Sequence, residues 1–138
     1  MPSRTALSPN RPPDEKVTIN LGAIDLGRID LLVQEGFYSS RTDFIRTAIR
    51  DLAATHADEV QQLSANKTLI LGVQHFTVED LDRLRKAGKK IDIRALGLVT
   101  FGTDVSVKLA LTTINSVSVL GALHASPALK KALLKLQP

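Results

Sequence analysis

The chain has 138 residues, 43% of them hydrophobic but only 4% aromatic, so its core must be mostly Leu, Ile, Val and Ala in one domain or two small ones. It has no cysteine, which excludes disulfide frameworks and thiolate metal sites. No apolar run approaches a membrane span and no secretory leader opens the sequence, so a cytoplasmic protein is expected.

The net charge of +4 is unevenly placed: residues 1–66 hold 7 Lys/Arg against 9 Asp/Glu, and residues 67–138 hold 11 against 5. A basic balance is compatible with nucleic acid without being diagnostic. Residues 1–13, with four prolines and no periodic pattern, are expected to be a disordered arm whose Arg4 and Arg11 are solvated. Lys16 to Leu21 then alternates: Val17, Ile19 and Leu21 point one way, and Lys16, Thr18 and Asn20 the other. That pattern predicts a short half-buried strand ended by Gly22.

Ala23 to Glu35 reads as a helix with an apolar stripe of Leu26, Ile29, Leu32 and Val33, and Gly36 sits where a left-handed C-terminal residue belongs. A second helix opens at Ser39 or Ser40, where Ser40 and Asp43 resemble a capping box. Phe44, Ile45, Ala48, Ile49, Leu52 and Ala53 form its apolar face, with Arg41, Arg46 and Arg50 largely opposite. The helix is expected to run on to about Leu63, with a boundary at Ser64–Asn66.

Residues 67–138 suggest three short strands, Leu69–Val73, Ile91–Leu96 and Val117–Leu123, each followed by a helix beginning near Thr77, Ser106 and Ser126. Strand–helix alternation implies parallel pairing. The middle helix conflicts with a strand-like alternation of Val105, Val107, Leu109 and Leu111. The expected architecture is mainly α with short strands: residues 14–63 as one unit and residues 67–138 as a small α/β domain of strand–helix repeats.

One strand followed by two helices cannot bury its own apolar face. Two copies can, by pairing their strands antiparallel about a two-fold axis over four helices. The order, spacing and residues of EKVTINL, Ile29–Val33, the turn Gly36–Ser40 and Arg41–Arg50 (RTDFIRTAIR) resemble the ribbon-helix-helix family of MetJ/Arc/CopG type. Gly22 stands where many members carry proline.

The resemblance, which covers residues 15–53, implies an intertwined homodimer that inserts a β-ribbon into the major groove of double-stranded DNA. Lys16, Thr18 and Asn20 fall at the family's base-reading positions; Asn pairs two ways with adenine and Lys reaches guanine O6 or N7. Ser39 and Ser40 fall at its phosphate clamp, with Arg41 a second phosphate contact, because a helix N-terminus favours anions. Val17, Ile19, Leu21, Ile29, Leu32, Phe44, Ile45, Ala48 and Ile49 are the implied dimer core.

The implied function is a sequence-specific transcriptional regulator, in the leading reading a repressor that occludes a promoter. Alternatives are a plasmid or phage DNA-maintenance accessory, an antitoxin, or an assembly protein polymerising through its C-terminal repeats. No enzyme, cofactor or metal is expected. His56, His75 and His124 lack metal-site spacing, though His75 and His124 end two predicted strands and are candidate neighbours in a sheet. Gly97–Gly102 lacks the Lys-Ser/Thr pair of a phosphate loop. Glu79, Asp80 and Asp82 read as cap and solvated residues, and the basic run Arg83, Arg85, Lys86, Lys89, Lys90 and Arg94 as a solvated helix end.

Overall fold

The computed structural model describes residues 14–138; the arm expected over residues 1–13, with Arg4 and Arg11, lies outside them. The described residues divide into two compact units, Lys16–Leu63 and Ser64–Pro138, the latter including Asp14 and Glu15.

In the first unit, α1 spans Ala23–Gln34 and α2 Arg41–Thr55, and α3 begins at Ala57 and ends at Asn66. Gly36 closes α1 with φ 83°, a conformation that costs other residues a Cβ clash. Around it Phe37 N–H donates to Leu32 O at 2.9 Å and Gly36 N–H to Val33 O at 3.1 Å, the paired bonds of a Schellman ending. Ile29 is the one buried residue of this unit, at 6% exposure.

The ribbon expectation concerns two chains, and the helix expectation is corrected. Lys16–Leu21 carries no strand in the single chain; a strand needs a neighbour to satisfy its backbone, and among the described residues this segment has none. The second helix does not run to Leu63. It breaks at His56, where Thr55 Oγ1 donates back to Leu52 O at 2.6 Å and His56 N–H tightens onto Ala53 O at 3.1 Å. Hydroxyl back-bonding of this kind bends helices. Ser64–Asn66 form the last turn of α3, and the division between the two units falls at Ser64.

The second unit runs β1 (Ile70–Phe76), α4 (Val78–Lys86), β2 (Ile91–Phe101), α5 (Val107–Thr113), β3 (Ile114–His124) and α6 (Pro127–Leu134). The strands form a parallel sheet in the order β1-β2-β3. One face carries Ile93, Ala95, Val99, Phe101, Val117 and Leu123 and packs on Leu81 of α4, Ala110 of α5, and Leu129 and Leu133 of α6. Alternation puts Leu71, Val73, Leu96 and Leu120 on the other face.

β2 extends past the predicted Leu96 to Phe101, because Gly97 lies inside the strand rather than ending it, and β3 begins at Ile114 rather than at the predicted Val117. The ambiguous stretch after Val105 is helical: Ser106 caps α5 by accepting from Leu109 N–H at 3.1 Å, and its apolar residues pack on the sheet. Ser126 caps α6 in the same way, with Pro127 at the first helical position. His75 and His124 are not neighbours. They flank Thr100 in one row, His75–Thr100–His124, because β2 lies between β1 and β3.

Candidate nucleic-acid interface

The site is the segment Lys16–Asn20 together with the turn that starts α2. Ser40 caps α2, its Oγ accepting from Asp43 N–H at 3.0 Å. The Asp43 carboxylate does not reach back to the cap residue's own amide as a capping box requires; Oδ2 accepts from Ser39, from its N–H at 2.9 Å and its hydroxyl at 3.2 Å. Tyr38 packs edge-on against Phe44, ring centroids 5.0 Å apart, which sets the angle at which the chain enters the helix. The amides of Ser40, Arg41 and Thr42 open the first turn without a partner inside the helix, as every helix start leaves them.

Arg41 makes a fork-to-fork pair with Asp30 of α1, Nε to Oδ1 at 2.7 Å and Nη2 to Oδ2 at 2.8 Å. The Arg41 hydrogen bond holds the Asp30 carboxyl below its ordinary range, and Asp30 in turn raises Arg41. The guanidinium named as a phosphate contact is therefore committed to a carboxylate that joins the two helices. Asp30 is the residue the sequence reading missed, since nothing local marks a partner eleven positions away.

Lys16, Thr18 and Asn20 are exposed, as are Ser39, Ser40 and Arg41. The residues expected at a dimer core are largely uncovered in the single chain: Val17 is 80% exposed and Ile49 62%, Ile19, Leu21 and Ala48 are also exposed, and Leu32, Phe44 and Ile45 are half-buried. A hollow of about 360 Å³ lies among Ile19, Leu21, Ile29, Phe44, Ile45 and Ile49.

The other motifs are structural. Thr77 and Asp80 form a complete capping box at α4: Thr77 Oγ1 accepts from Asp80 N–H at 3.1 Å, and Asp80 Oδ2 accepts from Thr77 N–H at 3.0 Å. Hydrogen bonds to its carboxylate from the Thr77 amide and hydroxyl, with a further one from Arg83, keep Asp80 below the usual carboxylate range. Within the basic run, Arg83 pairs with Asp80 at 2.5 Å, and Arg85 and Lys86 pair with Asp82 at 2.6 and 3.1 Å. His75 Nδ1 lies 2.5 Å from Thr100 Oγ1, and His124 Nε2 contacts the Glu15 carboxylate. Among the described residues no three His, Asp or Glu side chains are grouped to hold a metal ion, and no helix is long and apolar enough to cross a membrane.

A strand-forming segment, a Ser-rich turn and two helices with a shared, unfilled apolar face define the ribbon-helix-helix class. The model of the ribbon-helix-helix transcriptional regulator family matches residues 12–130, and the chain belongs to that family of DNA-binding regulators. The match runs beyond the two helices through β1, β2 and β3 into α6, so the C-terminal unit is part of the family's pattern. No curated protein and no solved structure matches the chain.

Proposed function

We propose that the protein is a cytoplasmic, dimeric, sequence-specific regulator that acts as a repressor by occluding its operator. Lys16–Leu21 of two chains pair antiparallel, and the ribbon enters the major groove with Lys16, Thr18 and Asn20 toward the bases. Ser39 and Ser40, with the first amides of α2, hold a flanking phosphate, while Arg41 holds the turn in place through Asp30. Phosphate contacts of this kind fix position and base contacts fix sequence.

The observation that carries this reading is the uncovered apolar face around the hollow of about 360 Å³, beside a strand-patterned segment that has no strand partner. A second copy supplies both missing parts. Covering side chains such as Val17, Ile19 and Ile49 contributes on the order of 1.5–3 kcal/mol each.

The test is selection of bound duplexes from a random pool, followed by footprinting. A site of two inverted halves is expected, and Ala at Lys16, Thr18 and Asn20 together should abolish sequence preference while leaving a folded dimer. Preference that survives this change would place the reading face elsewhere.

A further inference from the structure

Gly72, Gly97 and Gly121 stand side by side across the sheet, one per strand, each at its neighbour's register position. All three have positive φ: 125°, 138° and 124°. A Cβ on Gly97 would lie 2.3 Å from the Gly72 carbonyl oxygen, and one on Gly121 would lie 2.0 Å from that of Gly97. Each of these glycines is therefore bare on the side from which the preceding strand's carbonyl approaches. Gly72 has the same backbone conformation, yet a Cβ there would meet nothing within 4 Å. The position for a preceding carbonyl exists at β1, and no strand among the described residues fills it.

The two outer strands also carry no charge of their own. Edge strands are normally blunted by charge, but residues 68–78, which include β1, and residues 109–129, which include β3, contain no Asp, Glu, Lys or Arg. The central strand, which needs no such protection, carries Asp92 and Arg94. Leu71 on β1 is 77% exposed and Leu120 on β3 is 50% exposed. Beside β3 a hollow of about 290 Å³ is lined by Val117, Val119, Gly121 and Leu123 with Lys130 and Leu134 of α6.

We infer that β3 of one copy pairs in parallel with β1 of a second copy, continuing the sheet head to tail with Gly121 beside the second copy's Gly72. The glycine row fixes the register: Leu120 lies beside Leu71 of the next copy, and Ala122 beside its Val73. The open end of one sheet is the complement of the open start of another, so the occupant is a second copy of this chain. Such an interface is heterologous, so each copy leaves one edge for the next and the copies continue into a ring or an open filament. Its one consequence for regulation, that neighbouring DNA-bound dimers would be tied together, rests on the function proposed above; the contact itself does not.

The chain lacks cysteine, so introduced thiols report the contact directly. Directly opposed residues of parallel strands lie about 4.8 Å apart, within the Cα range of roughly 4.4–6.8 Å that a disulfide spans. Full-length Leu71→Cys and Leu120→Cys proteins, without DNA, are mixed and mildly oxidised. A cross-linked pair is expected from the mixture and from neither variant alone, and the doubly substituted chain should give a ladder of multimers on a non-reducing gel. The in-register pair Val73→Cys and Ala122→Cys should behave alike. Self-cross-linking of Leu71→Cys would indicate two-fold pairing of β1 with β1 and overturn the proposal, as would no cross-link from either pair. Both results are independent of any failure to bind DNA.

Discussion

Arg41 and Asp30, eleven residues apart, are joined by two parallel hydrogen bonds of 2.7 and 2.8 Å that tie the first residue of α2 to α1. Both groups are partly exposed, and most exposed ion pairs contribute little; a bidentate fork is the geometry in which one counts. Its consequence for DNA binding is specific. A cation that neutralises a phosphate contributes about 0.9 to the slope of log affinity against log salt. With its guanidinium on Asp30, Arg41 should contribute nothing, so Arg41→Ala is expected to leave the slope unchanged. Asp30→Asn frees the guanidinium and should steepen the slope by about that amount. A slope that falls by the same amount in Arg41→Ala would return the residue to the phosphate.

The acid limb of stability follows from Asp80. Hydrogen bonds from the Thr77 amide and hydroxyl, then Arg83, keep its folded-state value below the ordinary carboxylate value of 3.8. A carboxylate shifted this way stabilises the fold fully above its unfolded value, and that contribution is lost as pH falls through the lower folded value. The thermal midpoint should therefore hold from neutrality to about pH 5 and decline below the ordinary carboxylate range. Asp80→Asn should lower the midpoint at neutral pH, and its deficit against the parent should shrink in acid. A deficit independent of pH would mean that the charge on Asp80 does not stabilise α4.

The glycine row makes an unequal prediction for three chemically identical changes. Gly97→Ala and Gly121→Ala each drive a methyl into a backbone carbonyl, at 2.3 and 2.0 Å, and impose a positive φ as well. Each should cost about 3 kcal/mol or more in denaturant unfolding of the C-terminal unit. Gly22→Ala meets nothing within 4 Å at φ −65° and should be nearly neutral. Gly22→Pro should stabilise by about 0.4–1 kcal/mol, since proline fixes the φ already present and restricts the unfolded chain. Equal losses at Gly22 and Gly97 would contradict the close approach between strands.

What could be read from the sequence was whatever local chemistry decides. Ser40, Thr77, Ser106 and Ser126 cap their helices through bonds to a residue three positions on, and α1 is closed at Gly36, whose N–H and that of Phe37 bond three and five positions back. The stripe of Leu26, Ile29, Leu32 and Val33 marked α1 by its period. Non-local features were hidden. Gly97 looks like a strand end until register shows it between Gly72 and Gly121. The break at His56 has no Gly or Pro to announce it, and Asp30 gives no sign of Arg41. Within the candidate site, alternation placed Lys16, Thr18 and Asn20 on one side of a strand that the lone chain does not form; in the proposed dimer its neighbour belongs to the second copy.

That missing neighbour is most directly tested at Ile49. In a lone chain this side chain is 62% exposed, and a charge there should alter stability by no more than about 0.5 kcal/mol. In the proposed dimer it lies in the shared core, where an unpaired carboxylate costs several times as much. Urea unfolding at a series of protein concentrations separates the two cases. The parent's midpoint should rise with concentration, as mass action requires when folding and association are coupled. Ile49→Glu should unfold at lower urea with a midpoint independent of concentration, and Ile45→Glu should behave alike. Parent-like stability in both variants would mean that the apolar face of α2 stays uncovered, and the ribbon that depends on two chains could not form.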